Sequence, residues 1–399
     1  MRILIIAVYY LPKPKSTAKI IHDLAVEFCR LGHEAIVLTP DDTLRTGSEI
    51  ACIDGVKILR VRTGKIDGSF RIFRGINERL LSPILWQQGR KFFRDNACDI
   101  VIWWSPSIFL GSLVKKLKKQ FNCPSYLILR DIFPQWAIDA GILKRGLISW
   151  YFHRKELEQY EAANVIGVQS PGNLSYFRRN GLDQKYRLEV LYNWTRLKEQ
   201  DIPATNYREQ LGLQGKVVFF YGGNIGVAQD MDNLIRLAEN MLNETQAHFL
   251  LVGEGSEVER LKGLIKKKKL TNLTIHNAVD QQKYLAMLSE FDVGLILLDR
   301  RHQTQNFPGK MLGYMYYSLP ILASINPGND LQDVLEKKSA GLVCLNGDDA
   351  RFKDYAIRLT RDSKLRKQIG ARARSLLEST FSVSRAAAQI LANFERRKQ

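Results

Sequence analysis

Short apolar, β-rich runs alternate with helical patterns along the whole 399-residue chain, and this alternation limits the fold more than any other feature. The opening shows the pattern: an apolar run at Arg2–Val8, a helical pattern over Thr17–Leu31 that ends at Gly32, and a second run at Glu34–Leu38. Strand–helix–strand units of this kind build parallel sheets. We therefore predict an α/β fold, with strands at Arg2–Val8, Glu34–Leu38, Val56–Val61, Ile100–Trp104, Ser125–Leu129, Val165–Val168, Leu188–Leu191, Lys216–Tyr221, His248–Val252, Leu273–His276, Val293–Leu298, Leu319–Ala323 and Gly341–Cys344.

The alternation is interrupted by a polar segment at residues 196–206, which contains Pro203 and is typical of a linker. At roughly 150 residues per domain, the length favours two or three domains, each with its own core. We predict a first domain over 1–195, a second of similar size over 207–375 and a C-terminal helix over 376–399.

No apolar stretch approaches the roughly 18 residues that a membrane-spanning helix needs, and the first residues lack a signal-peptide cleavage site. We expect a cytoplasmic protein. The cysteines are odd in number and never form a C-x-x-C pair, which favours free, buried thiols. They are Cys29, Cys52, Cys98, Cys123 and Cys344.

Positive charge is concentrated between residues 57 and 119, where 14 Lys or Arg and 4 Asp or Glu contribute +10 of the chain's net +18. Cations and aromatic residues interleave there, which suits the headgroup layer of an anionic membrane. The alternative is a solvated helix whose apolar side packs on its own domain. Nucleic-acid binding is disfavoured because no recognised nucleic-acid-binding motif accompanies the charge. The candidate acceptor- and membrane-binding residues are Arg71, Arg74, Trp86, Arg90 and Lys91.

A glycine-rich segment, Tyr221–Gly226, follows a predicted strand and precedes a helix. Glycines allow a ligand close to the backbone, and free amides before a helix favour phosphate, so Gly222, Gly223, Asn224 and Gly226 are candidate phosphate-binding residues. A tight strand-to-helix turn is the alternative. The segment matches neither G-x-G-x-x-G nor the P-loop. Gly253 and Glu254, after the next strand, form either a turn or a loop on the nucleobase side.

A second candidate site is the segment Asn306–Met315, in which Pro308 and Gly309 open a helix and Lys310 lies in its first turn. A lysine is unfavourable next to the positive end of a helix. A bound diphosphate would account for it, whereas a surface lysine is the alternative. His302 is the one histidine near this lysine in sequence.

Arg130 and Asp131 end an apolar strand, where side chains face the ligand-binding edge of a parallel sheet. The Asp131 carboxylate could remove a proton from an acceptor hydroxyl. The alternative is a structural hydrogen-bonded pair with Arg130, and Asp139 is a weaker second candidate for the base.

We predict no metal site. Asp230 and Asp232 form a D-x-D motif, but they stand at a helix start, where capping of free amides is the favoured role. The six histidines show no paired-ligand spacing typical of zinc sites.

Taken together, these segments resemble the family 4 glycosyltransferases of the GT-B fold, in which two Rossmann-like domains face each other across a cleft. The resemblance covers nearly the whole chain, through the opening strand with its proline loop, Leu31–Thr39, the Gly222–Gly226 loop, Val252–Gly255 and Phe307–Pro320. Arg130–Ala137 and Asn306–Met315 look most like the bacterial O-antigen L-fucosamine transferases.

The resemblance implies that the second domain binds a UDP-sugar and the first binds a lipid-linked sugar acceptor, with no metal or other cofactor. Its implied partners are an undecaprenyl-diphosphate-linked saccharide and the anionic inner face of the cytoplasmic membrane. The transferred sugar would be N-acetyl-L-fucosamine, in surface polysaccharide biosynthesis. A UDP-N-acetylhexosamine 2-epimerase of the same fold and a non-catalytic membrane-surface scaffold are the alternatives.

The chain departs from the family pattern at three positions. The family's two glutamates would fall at Gln305 and Gly313, and the arginine that commonly follows the first strand of the second domain is Asn224. Lys310 is left as the main cation for the diphosphate, and an inverting displacement with Asp131 as the base becomes the working hypothesis.

Overall fold

The computed structural model describes residues 1–13, 15–66, 71–139, 141–197, 205–301 and 307–395, apart from the side chains of Ser16 and residues 71–74. The chain divides into two compact units. Unit 1 comprises Met1–Arg196 together with Val383–Gln399, and unit 2 comprises Leu197–Ser382.

Unit 1 contains an eight-stranded sheet in the order β3-β4-β2-β1-β5-β6-β7-β8. Every strand pair is parallel except β3 with β4, which form an antiparallel hairpin. The central strands are apolar runs buried on both faces, as parallel sheets require. The strands are β1 (Arg2–Ile6), β2 (Glu34–Asp41), β3 (Ser48–Ile53), β4 (Val56–Arg62), β5 (Ile100–Trp104), β6 (Ser125–Leu129), β7 (Val165–Val168) and β8 (Leu188–Val190).

Helices cover both faces of this sheet. One apolar core lies against α2, α3, α5 and α6, and the other lies against α1 and a helix from the end of the chain. The helices of the first part of unit 1 are α1 (Ser16–Arg30), α2 (Arg71–Asp95), α3 (Gly111–Phe121), α4 (Gln135–Asp139), α5 (Leu147–Ala162) and α6 (Pro171–Arg179).

Unit 2 contains a six-stranded, wholly parallel sheet in the order β11-β10-β9-β12-β13-β14. Its strands are β9 (Val217–Gly222), β10 (Ala247–Val252), β11 (Leu273–His276), β12 (Val293–Leu297), β13 (Ile321–Ile325) and β14 (Gly341–Leu345). Its helices are α7 (Tyr207–Gln210), α8 (Met231–Asn240), α9 (Val258–Lys268), α10 (Gln281–Glu290), α11 (Lys310–Tyr316), α12 (Leu331–Glu336), α13 (Asp349–Arg361) and α14 (Ser363–Thr380). Two α/β units with parallel sheets confirm the predicted fold class.

The end of the chain differs from the prediction of a single helix over 376–399. Helix α14 ends at Thr380 in unit 2, and a separate helix, α15 (Val383–Glu395), belongs to unit 1. The side chains of Ile390 and Leu391 in α15 join the core formed by α1 and the sheet. The prediction was wrong because an apolar helix face shows that something is buried, but not against which domain.

None of the helices in the described ranges combines the length and the apolar character that a membrane crossing requires.

Candidate functional site

The carboxyl end of β9 is the point in unit 2 where the strand order reverses, since β10 and β12 lie on its two sides. Connections leave such a strand pair on opposite faces of the sheet and open a crevice for ligands there. Two of the sequence-predicted segments meet at this place: the Gly222–Gly226 loop follows β9, and Lys310 of α11 reaches Gly223.

The loops after β9 and β10 pack directly on each other. A Cβ atom at Gly253 would overlap the carbonyl oxygen of Gly223, and one at Gly255 would overlap the carbonyl oxygen of Ile225. Gly223 also has a φ of +122°, which residues with side chains rarely adopt. The glycines at these positions therefore serve loop packing and backbone conformation.

Most amides of the Gly222–Gly226 loop are already paired, contrary to the expectation that they are free for phosphate. The N–H groups of Gly223 and Ile225 donate to the carbonyls of Val252 and Glu254 at 2.9 and 2.8 Å. Those of Gly222 and Gly226 donate to the Tyr314 hydroxyl at 3.3 Å and the Gln229 Oε1 at 3.1 Å. Within the described residues, the one amide of this loop without an acceptor is that of exposed Asn224.

Lys310 is the first residue of α11, as its Pro308–Gly309 pair predicts. Its Nζ lies 3.3 Å from the ring centroid of buried Tyr221, a close cation–π contact. A Cβ at Gly223 would lie 3.7 Å from the same Nζ. Burial lowers the pKa of Lys310 well below its usual range. No carboxylate among the described residues pairs with it, so this cation can accept an anionic ligand.

Tyr284 of α10 is a site residue that the sequence analysis did not single out. A Cβ at Gly222 would overlap its ring, and a Cβ at Gly313 would lie 4.0 Å from its hydroxyl. It thus lies between the loop after β9 and the position at which the family has a glutamate. No local sequence signal marks it, because the contact joins residues of different elements. The other expected glutamate position, Gln305, lies outside the described residues, as do His302 and Asn306.

The D-x-D motif does not act as predicted. Asp230 precedes α8 in a left-handed conformation and its side chain caps no helix amide; instead, it accepts from Asn346 Nδ2 at 3.0 Å. Asp232 pairs with Arg260 at 2.7 Å. No group of three or more His, Cys, Asp or Glu in the described part of the chain is arranged to hold a metal ion.

In unit 1, Arg130 is a structural residue. Its guanidinium lies between the rings of Trp104 and Trp194, at 5.1 and 5.4 Å, and donates to the carbonyl of Leu191 at 2.6 Å. Burial lowers its pKa to about 9. Arg130 therefore fastens the end of β6 to the segment after β8 and makes no hydrogen bond with Asp131 in the described structure.

Asp131 is exposed just beyond the carboxyl end of β6, and no described residue donates a hydrogen bond to it. Partial loss of solvation by the surrounding protein raises the pKa of its carboxyl group, and the positive charge of Arg130 opposes that shift. The nearby Asp139 differs, because its carboxylate accepts from Gln135 Nε2 at 2.7 Å. Of the two candidates, Asp131 has the free carboxylate that a base requires.

The basic segment over 57–119 is not one surface: it contains β4, α2, β5 and α3. Trp86 of α2 is half-buried, stacks on Phe93 at 6.2 Å and has Lys116 Nζ 5.5 Å above its ring. Part of its ring therefore packs on its own domain, and its role as a membrane contact stays a prediction. Arg90 and Lys91 are exposed. The side chains of Arg71 and Arg74 lie outside the described residues.

Residues 203–376, which include the crevice beyond β9 and Lys310, match the family model "Glycosyl transferases group 1". The chain thus contains a glycosyltransferase group 1 domain. It is 24% identical over 330 residues to the probable glycosyltransferase WbjE of Pseudomonas aeruginosa, which covers 78% of the chain and 80% of that protein. It is also 24% identical to the putative colanic acid biosynthesis glycosyl transferase WcaI of Escherichia coli, over 53% of the chain and 54% of the relative.

The fold of this glycosyltransferase is GT-B. A crystal structure of Anabaena Alr3699/HepE in complex with UDP has a TM-score of 0.68 at 14% identity and covers 99% of this chain and 100% of that one. At this identity the likeness concerns the fold alone. It agrees with the two Rossmann-like units, and the roles of Lys310 and Asp131 depend on their geometry here.

The packing of the two glycine loops predicts that the Gly253→Ala variant of the glycosyltransferase is destabilised. The added methyl group would overlap the Gly223 carbonyl, and forced repacking of this kind costs about 2 kcal/mol. Urea denaturation should show a corresponding loss in the free energy of unfolding. Gly263→Ala in α9 is the matched control, because nothing lies within 4 Å of its Cβ position and the change should stabilise the helix by up to about 1 kcal/mol. Equal effects of the two changes would contradict the packing role.

Proposed function

We propose that this glycosyltransferase moves a sugar from a UDP-sugar bound by unit 2 to a lipid-linked saccharide bound by unit 1, in bacterial surface polysaccharide biosynthesis. The name of WcaI supports the biosynthetic role, and UDP in the HepE structure supports the nucleotide. N-acetyl-L-fucosamine is the proposed sugar and an undecaprenyl-diphosphate-linked saccharide the proposed acceptor, both from the resemblance of Arg130–Ala137 and Asn306–Met315.

The observation that carries the proposal is the unpaired ammonium group of Lys310 beside the exposed Gly223–Asn224 tip of the loop after β9. A cation with low access to water attracts an anion more strongly than an exposed one does. The Asn224 amide, which lacks an acceptor in the described structure, adds a hydrogen-bond donor at the same tip. The Lys310 ammonium group and the Asn224 amide suit the diphosphate of a nucleotide-sugar. The loop Gly253–Glu254 would contact the nucleobase side, and Pro308–Gly309 would lie next to the diphosphate before α11.

The proposed reaction is a direct displacement at the anomeric carbon. The acceptor hydroxyl oxygen forms a bond to that carbon while the bond from the carbon to the diphosphate oxygen breaks. Asp131 takes the hydroxyl proton, and Lys310 stabilises the negative charge that develops on UDP. The sugar configuration is inverted. An inverting route fits a chain with glycine at position 313, where the family's glutamate would stand.

A nucleotide screen followed by a transfer assay tests this function. Calorimetry should detect binding of UDP, with ADP, GDP and NAD much weaker. Incubation with UDP-N-acetyl-L-fucosamine and a lipid-linked saccharide should then release UDP and lengthen the saccharide by one residue. A 2-epimerised UDP-sugar formed without acceptor would instead favour the epimerase, and UDP binding with no reaction in either assay would favour the scaffold.

We place the reaction at the inner face of the cytoplasmic membrane, with the enzyme peripheral to it. The anionic headgroups of that face would attract the exposed cations Arg90 and Lys91 of α2, at about 1 kcal/mol for each cation near the surface.

Metal independence is a testable part of the proposal. Because Lys310 and the Asn224 amide take the role that a divalent cation has in other transferases, turnover in excess EDTA should stay within about twofold of the untreated rate. The transfer assay with and without added Mg²⁺ or Mn²⁺ measures this. Restoration of a lost rate by either metal would contradict the proposed diphosphate site.

A further inference from the structure

Large apolar side chains are exposed at the start of α5 and in the turn before it. Leu147 is 87% exposed, Ile148 65%, Trp150 59% and Ile142 65%. Trp136 of the neighbouring α4 is exposed as well. We call residues 136–139 and 141–150 the α4–α5 surface. A contiguous set of this kind is unusual on a protein that stays in water, and it marks an interaction site.

The exposed side chains belong to a helix, α5, whose other side is held in the protein by buried hydrogen bonds. On the opposite side of α5, the fully buried carboxylate of Glu156 accepts hydrogen bonds from the hydroxyls of Tyr160 and Tyr176 at 2.8 and 2.9 Å. At the helix start, the Gly146 amide donates to the Ser149 hydroxyl at 2.8 Å. These contacts fix the position of α5, and the side chains of Leu147, Ile148 and Trp150 in its first turn point into solvent.

Cations surround the apolar side chains. Residues 141–155 contain four Lys or Arg and no Asp or Glu. Lys144 and Arg145 are exposed and have no acidic partner among the described residues, and the Arg154 guanidinium lies 5.8 Å from the Trp150 ring. The acidic residues on either side of this segment are engaged: Asp139 accepts from Gln135 Nε2, Glu156 accepts from the hydroxyls of Tyr160 and Tyr176, and Glu158 pairs with Lys155.

The surface continues onto α2. The Arg79 guanidinium lies 6.0 Å from the ring of Tyr151 in α5, which brings the two helices together. On α2, Ile76 and Leu80 flank this arginine and are themselves exposed. Apolar side chains and cations thus alternate across neighbouring parts of both helices.

We propose that the α4–α5 surface inserts Leu147, Ile148 and Trp150 into the headgroup layer of an anionic lipid bilayer, while Lys144 and Arg145 contact lipid phosphates. The inference rests on the proposed lipid-linked acceptor and names the part of the enzyme that meets the membrane. Tryptophan at the boundary of lipid and water, aliphatic side chains on one side and unpaired cations around them are the features of interfacial binding.

Charge favours a membrane over a second copy of the chain. A symmetric pairing of two α4–α5 surfaces would bring together the cations Lys144 and Arg145 of both copies, with Asp139 as the single acid that each surface contributes. An anionic bilayer supplies the opposite charge and the apolar layer at once. This assignment also places the main membrane contact at exposed Trp150, and not at half-buried Trp86.

Vesicle cosedimentation of the full-length enzyme tests the proposal. The enzyme should bind vesicles of phosphatidylethanolamine and phosphatidylglycerol and bind phosphatidylcholine vesicles much more weakly. The double variant Leu147→Ser/Ile148→Ser should bind the anionic vesicles about tenfold more weakly, since it loses two insertable aliphatic side chains. Ile50→Ser is the matched control, because Ile50 is an aliphatic residue of unit 1 with 59% exposure, on β3, and should leave binding unchanged.

Quenching of tryptophan fluorescence by brominated lipids adds a direct readout of depth. The wild-type signal should be quenched by anionic brominated vesicles, and Trp150→Phe should lose a large part of that quenching. Unchanged vesicle binding in the double variant, or a dimer in solution that the double variant dissociates, would overturn the proposal.

The catalytic proposal can fail separately. The double variant should keep the wild-type rate with a short-chain, water-soluble acceptor, since none of its changes touches Lys310 or Asp131. Vesicle binding without any sugar transfer would refute the proposed reaction but would still support membrane binding by the α4–α5 surface.

Discussion

The Lys310→Ala variant is expected to bind UDP at least about tenfold more weakly and to turn over about a hundredfold more slowly than the wild type. The ammonium group lies against the Tyr221 ring and beside Gly223, with no carboxylate partner in the described structure, so its removal leaves the diphosphate without its main positive charge. Calorimetry with UDP and steady-state transfer kinetics measure the two effects. Turnover should fall more than affinity, because the charge on UDP increases as the bond to the sugar breaks.

Lys262→Ala is a control for the loss of a lysine in the same unit, since Lys262 is exposed and pairs with Glu259 on the surface of α9. It should leave both quantities unchanged. Circular dichroism should show that the Lys310→Ala variant is folded. Near-normal turnover of that variant would remove Lys310 from the mechanism.

The pH dependence of UDP binding provides a second test of Lys310. Burial lowers its pKa, so the free enzyme loses the positive charge at a lower pH than an exposed lysine would. UDP favours the charged form, and binding should therefore take up protons and weaken as the pH rises through the lowered pKa of Lys310. Titrations in buffers of different ionisation enthalpy measure the uptake, which the Lys310→Ala variant should lack.

The Asp131→Asn variant should lose about a hundredfold or more in the rate of transfer while it keeps its affinity for UDP, since asparagine cannot accept the acceptor's proton. The prediction follows from the exposed carboxylate at the end of β6, which no described residue engages in a hydrogen bond. Single-turnover transfer measurements and UDP calorimetry on the same preparation separate the two effects.

The pH profile and a matched variant sharpen this prediction. Because the surrounding protein raises the pKa of Asp131, the wild-type rate should fall as the pH drops through that raised pKa and the base becomes protonated. The acid limb of the profile should be absent from the residual activity of Asp131→Asn. Asp139→Asn, which alters a carboxylate already engaged by Gln135, should retain the wild-type rate and profile. Equal losses at both positions would contradict the assignment of the base to Asp131.

Most strands of both sheets could be predicted because a run such as β9, or β1 after Arg2, is apolar and buried on both faces. Strand β3 escaped prediction for the opposite reason. Its residues are mostly exposed, and it pairs at the edge of the sheet through its backbone with β4. An edge strand of this kind leaves little signal in the pattern of apolar residues.

The candidate site was predictable only in part. The Pro308–Gly309 pair is a local helix-start signal, and it located Lys310 at the first position of α11. Most partners of the loop amides are not local: Val252 ends β10, Glu254 lies in the loop after it, and Tyr314 lies on α11. Sequence patterns show which amides could bind an anion, but the packing of distant elements decides which of them remain free.

The return of α15 to unit 1 sets an order for folding on the ribosome. Unit 2 is continuous over residues 197–382, whereas unit 1 lacks α15 until the last part of the described chain has been made. Until then, the face of α1 that carries Leu24 and Phe28 lacks its cover from Ile390 and Leu391. Unit 2 can therefore reach its native state while unit 1 is still incomplete. Domains usually fold in the order in which they are synthesised, and here that order is reversed. A chain that ends at residue 382 and is held on the ribosome by a linker long enough to span the exit tunnel should resist protease in unit 2 and remain sensitive in unit 1.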